Sequence, residues 1–213
     1  PYEDRVADED VIPPMLVDEI RTMGLFGMSI PEDFGGLGLS MIEEVQAAFV
    51  LGQASPAFRS LVGTNNGIGS QGIIIDGTDE QKAKYLPALA SGDMIASFAL
   101  TEPDAGSDAG SLRTTARRDG NDFLLNGTKR YITNAPRADL FTVFARTSPE
   151  VKGSAGVSAF LVEAGTPGIT LGQPDRKMGQ KGSHTCDVIL DNVRVPASNI
   201  IGGPDRLNKG FKT

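Results

Sequence analysis

The sequence predicts an α+β multidomain chain, with an N-terminal α-helical bundle over residues 1–93 and an antiparallel β-barrel domain over residues 94–213. Three observations carry this expectation. Up to about Ala90, apolar residues recur at helical spacing behind recognisable helix starts. After Gly92 they fall into short runs divided by turn residues. No helical pattern interrupts those runs, which points to an antiparallel barrel or sandwich.

The first helix to be read follows Pro13-Pro14, with Leu16, Ile20 and Met23 on one face and Gly24 placed to end it. "PEDFGGLGLS" (Pro31 to Ser40) breaks the pattern. "SMIE" then starts a helix in which Ser40 caps and Glu43 reaches back, ahead of Val45, Ala48 and Phe49 on the expected core face. The Gly-rich stretch "LVGTNNGIGSQGIIIDG" suggests another helix through Ile68 and Ile73 to Ile75. "TDEQ" repeats the capping-box relation with Thr78 and Gln81, before Ala83, Leu86 and Leu89. Beyond the join at residues 91–95, "MIASFAL" reads as a strand. "LRTTARRDGNDFLLNGTKRYIT" reads as a hairpin turning at Asp119-Gly120-Asn121. "DLFTVFAR", "VSAFLVEA" and "CDVILDNVRV" complete the set of expected strands.

Composition excludes several classes. The net charge of −7 over 213 residues, with no Lys/Arg cluster, argues against a nucleic-acid or anionic-membrane surface. No apolar run approaches the length of a membrane helix. A single cysteine, Cys186, precludes an internal disulfide, and with the lone His184 it makes a His/Cys zinc site implausible. "PYEDRVADED" is unlike a secretory or mitochondrial presequence and carries no initiator Met, so the expectation is a processed or cut-down chain. A Rossmann fingerprint is absent, because "GGLGLS" has neither a preceding strand nor a third glycine.

The chemistry concentrates in "ALTEPDAGSDAGS" (Ala99 to Ser111). Asp104 and Asp108 lack the alternating acidic ligands and terminal Glu of a calcium loop. As formers of Asx-turns they would bond nearby backbone N–H groups. Gly106 and Gly110 permit positive φ and close approach of a ligand, and inward N–H groups with the Thr101 and Ser107 hydroxyls form a cradle for anionic or carbonyl oxygens. An ordinary polar turn is the competing reading.

This loop resembles the signature of the acyl-CoA dehydrogenase family. "GTKRYITNA" (Gly127 to Ala135) resembles that family's second flavin segment, with Tyr131 where Trp is frequent. "LFGMSIPEDFGGLGLS", "GTDEQKAKYLPALASG" and "KMGQKGSHTCDVILDNVRVPASNIIGG" follow the family's order along almost the whole chain. Phe98 stands where Tyr is common, and His184 where Asp or Asn is usual.

The resemblance implies extended FAD against the barrel, contacted by Phe98, Leu100, Thr101, Gly106 and Ser107 on one wall and by Tyr131, Ile132 and Thr133 on the other. It implies an acyl-CoA substrate touching Ser107 and Ser154, with Val62 to Asn66 near the acyl group. It also implies an electron-transfer flavoprotein as partner, a homotetramer, and a cytoplasmic location or, in a eukaryote, the mitochondrial matrix. The family's catalytic Glu belongs to a C-terminal helical domain; no acidic residue here matches it, so the expectation is a fragment without the base and inactive alone. The alternatives are an acyl-CoA oxidase or flavin monooxygenase of the same fold, or a non-catalytic binding module.

Overall fold

Six helices precede the sheet in a computed structural model that describes residues 2–213. They are α1 (Glu3–Glu9), α2 (Pro14–Thr22), α3 (Met41–Ala54), α4 (Pro56–Thr64), α5 (Gln71–Asp76) and α6 (Asp79–Ser91). Both capping boxes form. Ser40 accepts from the Glu43 amide at the start of α3, Thr78 accepts from the Gln81 amide at the start of α6, and each partner side chain reaches back. Such reciprocal bonds satisfy main-chain donors that a helix start leaves unpaired. Gly24, in the left-handed region at φ 72°, follows the C-cap of α2.

Two inward faces differ from expectation. On α2, Leu16 and Ile20 are buried, but Met23 is two-thirds exposed because the helix has already ended at Thr22. On α3 no residue is buried, and Phe49 is 70% exposed. That helix is apolar around most of its circumference, so spacing alone cannot select a face. The Gly-rich stretch forms α4 and α5 separated by a π-helical turn, Asn65–Gly69, in which Gly67 leaves helical geometry.

The π turn carries two buried asparagines, of which Asn65 joins the helical layer to the sheet and Asn66 ties the helical segments together. Asn65 donates to the carbonyls of Phe26 and Leu89, both at 3.1 Å, and accepts from the Ala96 amide at 2.8 Å. Asn66 donates to the Leu25 and Val62 carbonyls and accepts from the Ser29 amide. From the other side, Asn134 donates to the Leu61 carbonyl. These amides replace hydrogen bonds that the irregular backbone cannot make for itself.

Seven strands follow: β1 (Ala96–Ala99), β2 (Thr115–Asp119), β3 (Asp122–Thr133), β4 (Leu140–Arg146), β5 (Val157–Glu163), β6 (Ile169–Leu171) and β7 (Thr185–Pro196). They build one curled sheet of order β1-β4-β2-β3-β7-β6, with β5 on the other side of β4. The expected antiparallel barrel is corrected here to a mixed, open half-barrel. β1 pairs with β4 in parallel, Ala96 opposite Leu140, and β2 also meets β4 in parallel at Thr115 and Arg146. The remaining pairs are antiparallel. Parallel neighbours need a long crossover, and the β2–β3 hairpin supplies it between β1 and β4.

One core lies within the curl, including Phe123, Leu125, Phe141, Phe160 and Val188. A second joins the sheet to α5 and α6 through Ile73, Tyr85, Leu86, Leu89, Leu140 and Leu161. Burying each large side chain of this kind contributes about 1.5–3 kcal/mol, so the helical and sheet layers are strongly fastened.

Candidate functional site

The loop after β1 and the end of β3 lie side by side. The Arg130 amide donates to the Thr101 carbonyl at 2.8 Å, and Ser97 Oγ donates to the Thr133 carbonyl at 2.5 Å. Thr101 and Thr133 are both half-buried. Between Lys129 and Ile132 the β3–β7 register shifts, leaving a bulge at Arg130 and Tyr131. Tyr131 adopts φ 58°, a left-handed conformation that a non-glycine residue rarely takes. A bulge re-aims side chains, and here the Tyr131 ring stands 60% exposed. The Arg130 guanidinium lies 4.7 Å from its centroid and bonds Asp187 at 2.8 Å. Ile132, by contrast, points into the sheet core, so only its main chain can face a ligand at this wall.

Phe98 and Leu100 line a cleft of about 250 Å³ against Ile68, Gln71, Phe144 and Phe211. The Phe98 and Phe144 rings are 5.0 Å apart. Val62, Gly63 and Asn66 line a second cleft of about 360 Å³ between α3 and α4, which shares Gln71 and Ile75 with the first. Among the described residues, Glu44 is the one carboxylate lining either cleft, and burial raises its pKa.

Gly106 and Ser107 are exposed at the tip of the first loop. Neither Gly106 nor Gly110 uses positive φ, contrary to expectation. Asp104 and Asp108 form no Asx-turn bonds either. Asp104 pairs with the exposed Arg113 at 3.0 Å, and Asp108 accepts from the Ser111 hydroxyl. The loop is held by Arg146, whose guanidinium donates to the carbonyls of Gly110, Leu112, Val151 and Gly153. That single side chain sets the Ser107 loop beside the Ser154 loop. A Cβ on Gly110 would sit 3.3 Å from the Ser154 amide nitrogen.

The Glu102 main chain closes a turn with Ala105, but its side chain points inward. It is 6% exposed and pairs at 2.8 Å with the fully buried Lys129, while the Arg113 and Thr114 amides donate to its two oxygens at 2.6 and 2.9 Å. Burial works to raise the Glu102 pKa, but the Lys129 charge and these hydrogen bonds outweigh it and hold the carboxyl below its ordinary value. Burial pulls Lys129 down to about 8, with Glu102 opposing. Sequence reasoning missed Lys129 and Arg146, and it placed Asn65 and Asn66 near the acyl group without their hydrogen bonds to neighbouring main chain. For Lys129 a signal exists: it follows apolar residues along a strand at an inward position, where a charge requires a buried partner. His184 sits on a loop with Nε2 3.6 Å from Asp10.

Sequence comparison matches residues 1–93 to the acyl-CoA dehydrogenase N-terminal domain and residues 97–193 to the acyl-CoA dehydrogenase middle domain. The chain is 44% identical to an acyl-CoA dehydrogenase of Bacillus subtilis over 193 residues, covering 91% of this chain and 51% of that protein. Among solved structures, an acyl-CoA dehydrogenase from Geobacillus kaustophilus superimposes with a TM-score of 0.92 at 33% identity, covering all of this chain and 55% of that one. A glutaryl-CoA dehydrogenase from Mycobacterium smegmatis in complex with FADH2 gives 0.86 at 38% identity, covering 94% and 50%. The chain spans about half the length, or less, of the curated relatives it matches.

Proposed function

Because the chain belongs to the acyl-CoA dehydrogenase family, we propose that it binds FAD and an acyl-CoA thioester and takes part in α,β-dehydrogenation. The observation that carries the reading is the adjacency of two segments: Leu100 and Thr101 on one, and the bulged Tyr131 to Thr133 segment beside it, joined by the bond from the Arg130 amide to the Thr101 carbonyl. A flat, exposed ring beside half-buried hydroxyls fits a planar heteroaromatic group with hydrogen-bonding edges. The same donors fit an isoalloxazine, which gains electron density at its nitrogen and oxygen edge on reduction.

In this reading Phe98, Leu100, Thr101, Gly106, Ser107, Tyr131, Ile132 and Thr133 hold the cofactor, Ile132 through its main chain. Ser107 and Ser154 bind the CoA arm, brought together by Arg146. FAD, when bound, supplies the acceptor for the hydride leaving the β-carbon. The protein orients the thioester, excludes water from the aromatic cleft and polarises the carbonyl, since the α-proton is otherwise too weakly acidic for a carboxylate base. No carboxylate lines the Phe98–Leu100 cleft among the described residues, and the base is proposed to come from outside them. An electron-transfer flavoprotein as acceptor and a tetrameric assembly belong to the same proposal.

Titration of the purified chain with FAD, followed at ~450 nm and by flavin fluorescence, tests this reading. Thr133→Val removes one hydrogen bond worth about 1 kcal/mol and lowers FAD affinity about fivefold. A chain that binds no FAD refutes the reading, and robust dye-linked acyl-CoA turnover by these 213 residues refutes the external base.

A further inference from the structure

We propose that Glu102 and Lys129 are a positioning pair that fixes the separation and facing of the two proposed flavin walls. The inference rests on the FAD reading above and adds residues that touch neither flavin nor substrate in that reading. Its basis is where the bonds of the pair go. Lys129 Nζ donates to Glu102 at 2.8 Å and to the Leu100 carbonyl at 3.1 Å. Glu102 in turn holds the Arg113 and Thr114 amides. Leu100 and Glu102 flank Thr101, while Lys129 directly precedes the bulge that presents Tyr131. The Arg130 amide to Thr101 carbonyl bond completes the connection. Three hydrogen bonds thus join three consecutive residues of one wall to two consecutive residues of the other.

Stability alone does not account for such a pair. Replacing a buried ion pair by apolar groups of similar volume is often neutral or stabilising, whereas removing one partner strands a charge and is costly. A buried pair also adds no net charge next to a redox group. Its particular contribution is direction: a two-oxygen acceptor held by two amides gives the ammonium one place to sit, and the ammonium then holds the Leu100 carbonyl.

The test compares the wild-type chain with Glu102→Gln, Lys129→Met, the double variant E102Q/K129M and the conservative Glu102→Asp. FAD affinity, the visible circular dichroism of bound flavin and the melting temperature are measured for each. Hydrogen exchange over residues 129–133 is measured without FAD. The double variant, with no stranded charge, regains most of the melting temperature lost in the single variants. It still binds FAD about 10–100-fold more weakly, as outer supports of a site typically do when removed, with an altered dichroism spectrum and faster exchange at Arg130. Glu102→Asp keeps the charge but shortens the reach, and shifts the same readouts in the same direction. Wild-type affinity and dichroism in the folded variants overturn the positioning role while leaving FAD binding intact. Absence of FAD binding by the wild-type chain overturns the cofactor reading and the positioning role with it.

Discussion

Replacing Asn65 by alanine tests how much one buried amide contributes to joining the helical layer and the sheet. Asn65 is fully buried, and its side chain serves the carbonyls of Phe26 and Leu89 and the amide of Ala96. Truncation leaves three main-chain groups without their partner, each costing about 1–3 kcal/mol when kept from water. A water entering the vacated space would satisfy part of this demand. The net loss is therefore about 3–6 kcal/mol, a large share of the 5–15 kcal/mol typical of a folded protein. Urea unfolding followed by far-ultraviolet circular dichroism measures it as a lower midpoint. Hydrogen exchange adds a local signature, because the Ala96 amide at the start of β1 loses protection before the centre of β3. A loss below about 1 kcal/mol, with Ala96 protection unchanged, refutes the reasoning.

Other outcomes follow from single features. Gly127→Ala would drive a Cβ into Thr114 Oγ1 and to 2.8 Å from its Cα, so overpacking lowers stability by about 1–3 kcal/mol, read by denaturant unfolding. Cys186 is buried and its thiol is pushed up to about 11, first by burial and then by Asp175 and Asp187. A thiol-reactive chromophore at pH 8 labels it slowly in the folded chain and promptly in urea. Glu102 has a folded pKa below its unfolded value of 4.5, so its contribution is present above that pH and lost as pH falls through the folded value. Urea midpoints of wild type and Glu102→Gln, well separated at pH 6, therefore converge below pH 4.5.

What could be read from sequence was what is local. Ser40 with Glu43 and Thr78 with Gln81 announce helix starts because all four groups lie within one turn. The turn at Gly120 is likewise fixed by its neighbours, with Gly120 at φ 64° between β2 and β3. Strand direction is not local. Nothing within "MIASFAL" says that its partner is the parallel β4 rather than the next strand in the chain. Phe49 misled for a related reason, since an apolar residue does not state which surface it faces. The loop after β1 was legible as a motif of the family, but its carboxylates were misjudged. The role of Glu102 depends on Lys129, 27 residues later, and on a bulge that only the assembled sheet produces.

The parallel pairing of β1 and β4 has a consequence for how the chain acquires its structure. The Ile95 amide and the Asp139 carboxylate that bond at the mouth of this pair are 44 residues apart. On a ribosome, β1 emerges behind a finished α6 and has no strand to join until β4 has been made. The helices and the β2–β3 hairpin are rich in short-range contacts, whereas the pairing of β1 with β4 waits on a long loop closure, the slower kind of step. During that interval β1 has an unpaired edge, the kind of edge that invites mispairing. The Ala96 amide bonded to Asn65 already occupies one position on that strand.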